Sequence, residues 1–475
     1  MSRAELFLAG TAVSSSRRDV IDPWTREAFA DAPLADDALR ERAVLACVGA
    51  FERTKRTSSY ARRDVCSKVA ALLRARVEHV AQVIAHEAGK PITLAKAEVL
   101  RAASTFEIAA EVATRPRGEV IPLDLGEAHV RYTGRWERFP QGPVLAFAPF
   151  NFPLNLVAHK VAPALACGAS VLVKPAPKTP LSSFLLADLV REAGAPEDAL
   201  TVLPCEDAVA EKLVRDDRFR IFTFTGSAKV GYLLKGFSGK KHVLLELGGN
   251  AAAIVHEDAP EIARVLDALS TSAFAYAGQV CISTQRILVH HARFEEVVAG
   301  LRERAAALSP EEPASARGIL GPVVDTANAE RLSAWIAEAE GAGLEVVHRG
   351  SREENRLGAT VLVEHRAQDA DVRVVREEAF GPLVVVRPYD TFDEVIARVN
   401  DSRYGLQAGL FTDSAKLIEK AYRELDVGGL VVGDSASFRN DAMPYGGAKD
   451  SGLGREGVAF AVAEYTAPKM LVTRG

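Results

Sequence analysis

From residue 142 onward, short apolar stretches alternate with helix-patterned sequence, and this alternation constrains the fold more than any other feature of the chain. Strand candidates fall at 144–147, 170–173, 200–203 and 221–224, then at 243–245, 251–255 and 286–290. Helical stretches separate most of them. Such a pattern predicts an α/β architecture, a parallel sheet wound with helices on both faces, followed by a second α/β unit reaching to about residue 443. The 475 residues exceed what one hydrophobic core serves, so two or three domains are expected. The first third reads differently. Segments 36–55, 60–88 and 94–115 carry apolar residues at helical spacing, with Gly89-Lys90-Pro91 as a break. Residues 119–137 alternate and contain Gly126 and Gly134, which predicts a hairpin, and 466–473 reads as a last strand.

Composition narrows the function classes. At 48% hydrophobic and 25% charged, the chain has the balance of an ordinary globular protein. A net charge of -5 supplies no basic footprint, so no nucleic-acid partner is expected. No stretch approaches the roughly 20 apolar residues of a membrane span. The N-terminus lacks a signal pattern, and a cytoplasmic location is expected. Cys47, Cys66, Cys167, Cys205 and Cys281 are an odd set without C-x-x-C spacing. That argues against a disulfide framework or a structural metal site, and for a reducing compartment.

Five segments carry chemistry. Cys281 lies in Tyr276-Ala277-Gly278-Gln279-Val280-Cys281-Ile282-Ser283, and Glu246 in Leu245-Glu246-Leu247-Gly248-Gly249-Asn250. A thiol that becomes a thiolate and a carboxylate that takes a proton from water are the tools for oxidising an aldehyde through a thioester. Asn151, in Pro149-Phe150-Asn151-Phe152-Pro153, offers a neutral amide donor to an oxyanion. In Phe224-Thr225-Gly226-Ser227 a strand runs into a helix whose N-terminus suits a pyrophosphate, with Ser227 as cap, phosphate ligand or both. Glu378-Ala379-Phe380-Gly381-Pro382 completes the set. The first four have plain alternatives: a buried structural cysteine, a strand-end glutamate that caps or pairs, a turn asparagine, a strand-to-helix turn.

In chain order, these five segments resemble the NAD(P)-dependent aldehyde dehydrogenase superfamily across nearly the whole sequence, in the branch that includes lactaldehyde dehydrogenases. The resemblance implies a variant Rossmann cofactor domain, lacking the G-x-G-x-x-G fingerprint, at 1–117 and 137–247. It also implies a catalytic domain at 248–445 and a β bridging element at 118–136 and 458–475 that packs against a neighbouring subunit, making a homodimer or homotetramer. By resemblance, Cys281 is the nucleophile, Asn151 the oxyanion donor with the Cys281 N–H, and Glu246 the general base of thioester hydrolysis. Phe150, Gly226 and Ser227 contact the cofactor. Lys174 reaches the adenosine ribose, Glu378 the nicotinamide ribose, and Phe380 packs beside the ring, while Glu377 is left as a surface charge.

Departures from the family pattern matter too. NAD-selective members carry a glutamate three positions after the lysine, where this chain has Pro177 followed by Lys178, so NAD or NADP remains open. Pro204-Cys205 replaces a Gly-rich turn, which alters the pyrophosphate seat and leaves Cys205 as a packed or loop thiol. Val280 stands where relatives handling phosphorylated aldehydes often place arginine, which disfavours a phosphate-bearing substrate. Arg101 and Arg439 stand as anion anchors or as solvated or structural arginines, and 435–447 is expected to cover the substrate mouth. The expected reaction is oxidation of a small polar aldehyde to its acid. Acyl transfer to coenzyme A and a non-catalytic protein of the same fold are the alternatives.

Overall fold

A computed structural model describes residues 4–8, 10–115, 117–365 and 371–475. Two sheets dominate. The first has the order Gly452–Leu453, His242–Glu246, Ile221–Thr225, Val144–Phe147, Val171–Lys174, Leu200–Val202, parallel except for the antiparallel edge strand Gly452–Leu453. The second runs Glu345–His348, Thr360–Val363, Leu383–Tyr389, Thr284–His290, Ala251–Val255, Gln407–Phe411, Gly429–Val432, with Glu345–His348 antiparallel. Their central strands are buried end to end, as the interior of a parallel sheet covered by helices requires.

Registers align the functional ends. Phe147 pairs with Lys174 and Phe224, and Thr225 pairs with Glu246, so these residues share the carboxyl edge of the first sheet. From Glu246 the chain crosses within five residues to Ala251, the start of a strand in the second sheet. The carboxyl edge of one sheet therefore faces the amino edge of the other. Ligands of open α/β sheets settle in such a crevice.

The helical first third packs on this frame through Asp37–Thr54, Ser59–Ala75, Val77–Ala88 and Ile92–Val112. Asp36 caps the first by accepting from Leu39 N, Ser58 caps the second through Ala61 N, and Gly89 ends the third at φ 65°. The expected helix over 60–88 is broken at Arg76 (φ −114°, ψ 20°), whose side chain pairs with Glu192. That turn lets the apolar faces on both sides of it reach one core.

The hairpin forms as Gly118–Pro122 with Tyr132–Pro140, and Thr466–Arg474 adds to it antiparallel, from Thr466 opposite Pro140 to Arg474 opposite Tyr132. Residues 458–465, just before that last strand, form the helix Val458–Tyr465, whose Val458, Val462 and Tyr465 lie in the core beneath the first sheet. The apolar stretch 372–375 is a single helical turn, Arg373–Arg376.

Candidate active site

Cys281 lies between the helix Ile262–Phe274 and the strand Thr284–His290. The helix stops at Phe274 because Tyr276, Ala277 and Gly278 take φ of 53°, 54° and 65°. Left-handed backbone costs roughly 1–2 kcal/mol per non-glycine residue, so the surroundings must impose it. They do. Tyr276 N donates to Ile319 O at 2.7 Å and Tyr276 Oη to Ala88 O at 2.8 Å. The Gln279 amide donates to Tyr276 O and Pro322 O and accepts from Val324 N. At Gly278 a Cβ would stand 2.2 Å from Gly381 O, so only glycine fits.

The Cys281 sulfur sits 3.3 Å from Tyr445 Oη. Burial pushes the thiol up to about 11. The Tyr445 hydrogen bond and the Arg439 charge pull it down, while Glu378 and Glu246 push it up. Asn151 is buried, and its Nδ2 donates to Gln279 O at 2.9 Å, leaving the second N–H of that amide for another acceptor. Phe150 packs edge-on against Phe380 with centroids 5.8 Å apart, and Phe380 holds φ 50°.

Glu246 ends its strand, and its Oε2 is buried without a hydrogen-bond partner among the described residues. Burial, then repulsion from Glu456, raises its carboxyl well above the usual range against the pull of Arg439, Lys160 and Arg455. Such a carboxyl retains a site for a water molecule. Gly446, next to Tyr445, lies so close that a Cβ there would stand 3.1 Å from Glu246 Oε1. The Tyr445-Gly446 pair thus spans the distance from thiol to carboxyl.

Gly248 and Gly249 let protein groups approach the backbone closely. A Cβ at Gly248 would stand 2.2 Å from Glu378 Oε2, and one at Gly249 2.7 Å from Cys281 O. Glu378 accepts from Gly249 N at 3.1 Å, and burial raises it to about 7. Glu377 is partnered rather than a bare surface charge, accepting from Tyr404 Oη at 3.2 Å.

On the opposite flank, Ser227 is the cap of the helix Ala228–Phe237, its side chain accepting from Val230 N at 3.4 Å, and Gly226 N donates to Glu246 O at 3.0 Å. Lys174 closes its strand with Nζ 5.7 Å from the Phe147 ring centre. Lys178 is tied to Asp325 at 2.5 Å, and Cys205 is buried with its thiol pushed up to about 11. These residues fit a dinucleotide: a helix N-terminus for the pyrophosphate, a strand-end lysine, the raised Glu378 carboxyl and the paired rings of Phe150 and Phe380.

Segment 435–447 alternates buried and exposed residues and brings Tyr445 to the thiol. Ser435, Ala436, Asp441 and Tyr445 are buried, although Phe438 is exposed. Arg439 is structural: its guanidinium carbon lies 3.5 Å from the Tyr445 ring centre and Nη2 contacts His159 Nδ1 at 2.9 Å and Glu456 Oε2 at 3.1 Å. Arg101 is partly exposed and contacts Asp441 at 2.6 Å.

Several residues that shape the site gave no such signal in sequence. Lys90 is buried in an ion pair with Glu98, its ammonium 3.5 Å from the Phe152 ring centre and 4.6 Å from that of Tyr276. Glu98 also accepts from Leu154 N and Asn155 N at 3.0 Å each. Lys90 had registered only as part of a helix break, and Tyr445 only as one residue of a loop. No periodicity marks a side chain whose partners are so distant in sequence.

Comparison with known proteins places the chain. Residues 11–471 match the aldehyde dehydrogenase family. A 3-sulfolactaldehyde dehydrogenase of Priestia aryabhattai is 40% identical over 97% of this chain and 95% of its own length. Aldehyde dehydrogenase 21 from Physcomitrella patens, solved with the reaction product succinate, superposes with TM-score 0.96 at 36% identity, covering 99% of this chain and 98% of that one. A glyceraldehyde-3-phosphate dehydrogenase of Methanocaldococcus jannaschii, solved with NADP, gives TM-score 0.92 at 32% identity over 98% of this chain and 100% of that one. The chain belongs to the aldehyde dehydrogenase family and is an NAD(P)-dependent oxidoreductase of aldehydes.

Proposed function

We propose that this enzyme oxidises a small polar aldehyde to its carboxylic acid through a thioester on Cys281, with Glu246 activating the water that releases the product. The observation that carries the reading is the joint placement of Cys281, Asn151 and Glu246. Asn151 is bonded to the carbonyl two residues before the thiol, and the Tyr445-Gly446 step links the thiol to a buried, unpartnered carboxyl. Cys281 attacks the carbonyl carbon, and Asn151 with the Cys281 N–H stabilises the oxygen that gains charge. NAD(P), when bound, supplies the hydride acceptor. Glu246, raised above the usual carboxylate range, then takes a proton from water as the thioester is hydrolysed.

Lys174, Ser227, Gly226, Glu378, Phe150 and Phe380 would hold the dinucleotide. Pro177 provides no carboxylate to repel a 2′-phosphate, so both NAD and NADP are accepted. The substrate reading draws on the relatives' names, a 3-sulfolactaldehyde dehydrogenase at 40% identity foremost among them.

The hairpin and tail serve as a bridging element in a homodimer or homotetramer. Val120, Phe139, Met470, Leu471 and Val472 are exposed on that three-stranded sheet, an apolar surface of the kind a second copy covers. The five free cysteines fit a cytoplasmic enzyme, and among the described residues no helix is long and apolar enough to cross a membrane.

A Cys281→Ala variant tests the reading. It should lose oxidation while retaining dinucleotide binding, and substantial remaining turnover would refute the nucleophile. A panel of lactaldehyde, 3-sulfolactaldehyde and a neutral aldehyde of equal size, each with NAD and NADP, tests the substrate class; preference for the neutral member would remove the polar-substrate reading.

A further inference from the structure

We infer that Tyr445 is a catalytic residue of this enzyme: its hydroxyl donates a hydrogen bond that stabilises the Cys281 sulfur as a thiolate, and Arg439 stacked on its ring strengthens that donor. The inference rests on Cys281 as the nucleophile, and it adds a residue outside the five segments that carry the family resemblance. Tyr445 Oη lies 3.3 Å from Sγ. With the sulfur protonated, the S–H can donate to the phenol oxygen. Once the sulfur is an anion, the O–H rotates to donate to it, and no proton need pass between the two.

The phenol is fixed for this task. Tyr445 is 3% exposed, and its backbone is clamped to Glu456 by a bond in each direction, at 3.0 Å and 2.7 Å. The Arg439 guanidinium carbon sits 3.5 Å from the ring centre, and His159 and Glu456 hold the guanidinium in place. A cation over the face of a phenol draws electron density toward itself and away from the hydroxyl oxygen, which polarises the O–H and strengthens it as a donor. Burial keeps the phenol protonated, its pKa raised well above the usual range, so the proton is available to donate.

The groups facing the sulfur divide by sign. Glu378 and Glu246 oppose a thiolate, and Tyr445 and Arg439 support one. Of the supporting pair, Tyr445 touches the reacting atom. Without it, a thiol already raised by burial faces two carboxyls and gains only the more distant guanidinium.

Tyr445→Phe removes one oxygen and keeps the ring and its stack. The test is the pH profile of Cys281 alkylation by iodoacetamide, read by peptide mass; Cys47, Cys66, Cys167 and Cys205 are buried and react slowly. A hydrogen bond to a charged group predicts a midpoint about one pH unit higher in the variant and alkylation about tenfold slower at pH 8. The hydride burst should slow by a similar factor, with the aldehyde KM nearly unchanged. An alkylation profile superimposable on that of the wild type, or a change confined to KM, overturns the inference. Alkylation reads the thiol whether or not turnover runs through it. A flat profile with an inactive Cys281→Ala enzyme therefore removes Tyr445 alone, whereas an active Cys281→Ala enzyme removes the nucleophile and the catalytic role of Tyr445 with it.

Discussion

Asn151 Nδ2 donates to the carbonyl oxygen of Gln279 at 2.9 Å, so the amide proposed to receive the substrate oxyanion is tied to the backbone that carries the thiol. One N–H of the amide fixes its position and the other remains for catalysis. Such preorganisation is the usual source of oxyanion stabilisation. Asn151→Ala should slow the hydride burst about 100- to 1000-fold, the usual cost of one lost oxyanion donor, with dinucleotide affinity maintained. A pre-steady-state burst within about threefold of wild type would assign the oxyanion to other donors.

Lys90 and Glu98 form a buried ion pair behind both segments of the site, Lys90 against Phe152 and Tyr276, Glu98 on the Leu154 and Asn155 amides. Removing one partner strands the other's charge. Lys90→Met should cost about 3–5 kcal/mol in urea denaturation, and adding Glu98→Gln should restore much of that loss. A single variant within about 1 kcal/mol of wild type would show that water reaches the pair.

Glu87 is buried and accepts from Leu181 N and Ser182 N at the start of the helix Leu181–Glu192, yet burial outweighs these bonds and raises it to about 7. A carboxyl with a raised folded value binds its proton more tightly in the native state than in the unfolded one. Its contribution to stability is therefore present below the ordinary value of 4.5 and lost as pH rises through about 7. Glu87→Gln should flatten the fall in stability between pH 4.5 and 7. Denaturation midpoints measured across that window check it, and parallel curves for the two proteins would count against the assignment.

Much of this architecture could be read from the sequence because local pattern determined it. The strands Val144–Phe147 and Ala251–Val255 fall where apolar runs predict them, and the helix breaks at Gly89 where a left-handed residue is needed. The segments around Cys281, Asn151 and Glu246 converge on one cleft. What could not be read was set by contacts distant in sequence. Arg439 stood as an anion anchor or as a solvated or structural arginine, and only the fold, which stacks it on Tyr445, selects the structural role. Nothing local to Gly248 shows that the Glu378 carboxyl occupies the place of its missing Cβ. The turn at Arg76 has no glycine or proline to announce it.

Pro177 supplies no carboxylate three positions after Lys174, the residue proposed to reach the adenosine ribose, and the adjacent Lys178 is bound to Asp325. One repulsive charge contact is worth on the order of 1–3 kcal/mol. Wild-type enzyme should therefore use both cofactors, with kcat/KM values differing by less than about a thousandfold. A larger preference for NAD would show that another residue guards the ribose, and Pro177→Glu should widen the preference toward NAD.

The central claim, a Cys281 thioester hydrolysed with the help of Glu246, is tested most directly by mixing Glu246→Gln enzyme with aldehyde and cofactor while following NAD(P)H and the mass of the Cys281 peptide. The thiol can still attack and hydride can still leave, but water is not activated. The account predicts a burst of about one NAD(P)H per active site, an acyl adduct on Cys281, a very slow steady state, and no stimulation of the wild type by coenzyme A. The absence of both burst and adduct would move Glu246 to thiol activation, and acyl-coenzyme A as the wild-type product would contradict hydrolysis itself.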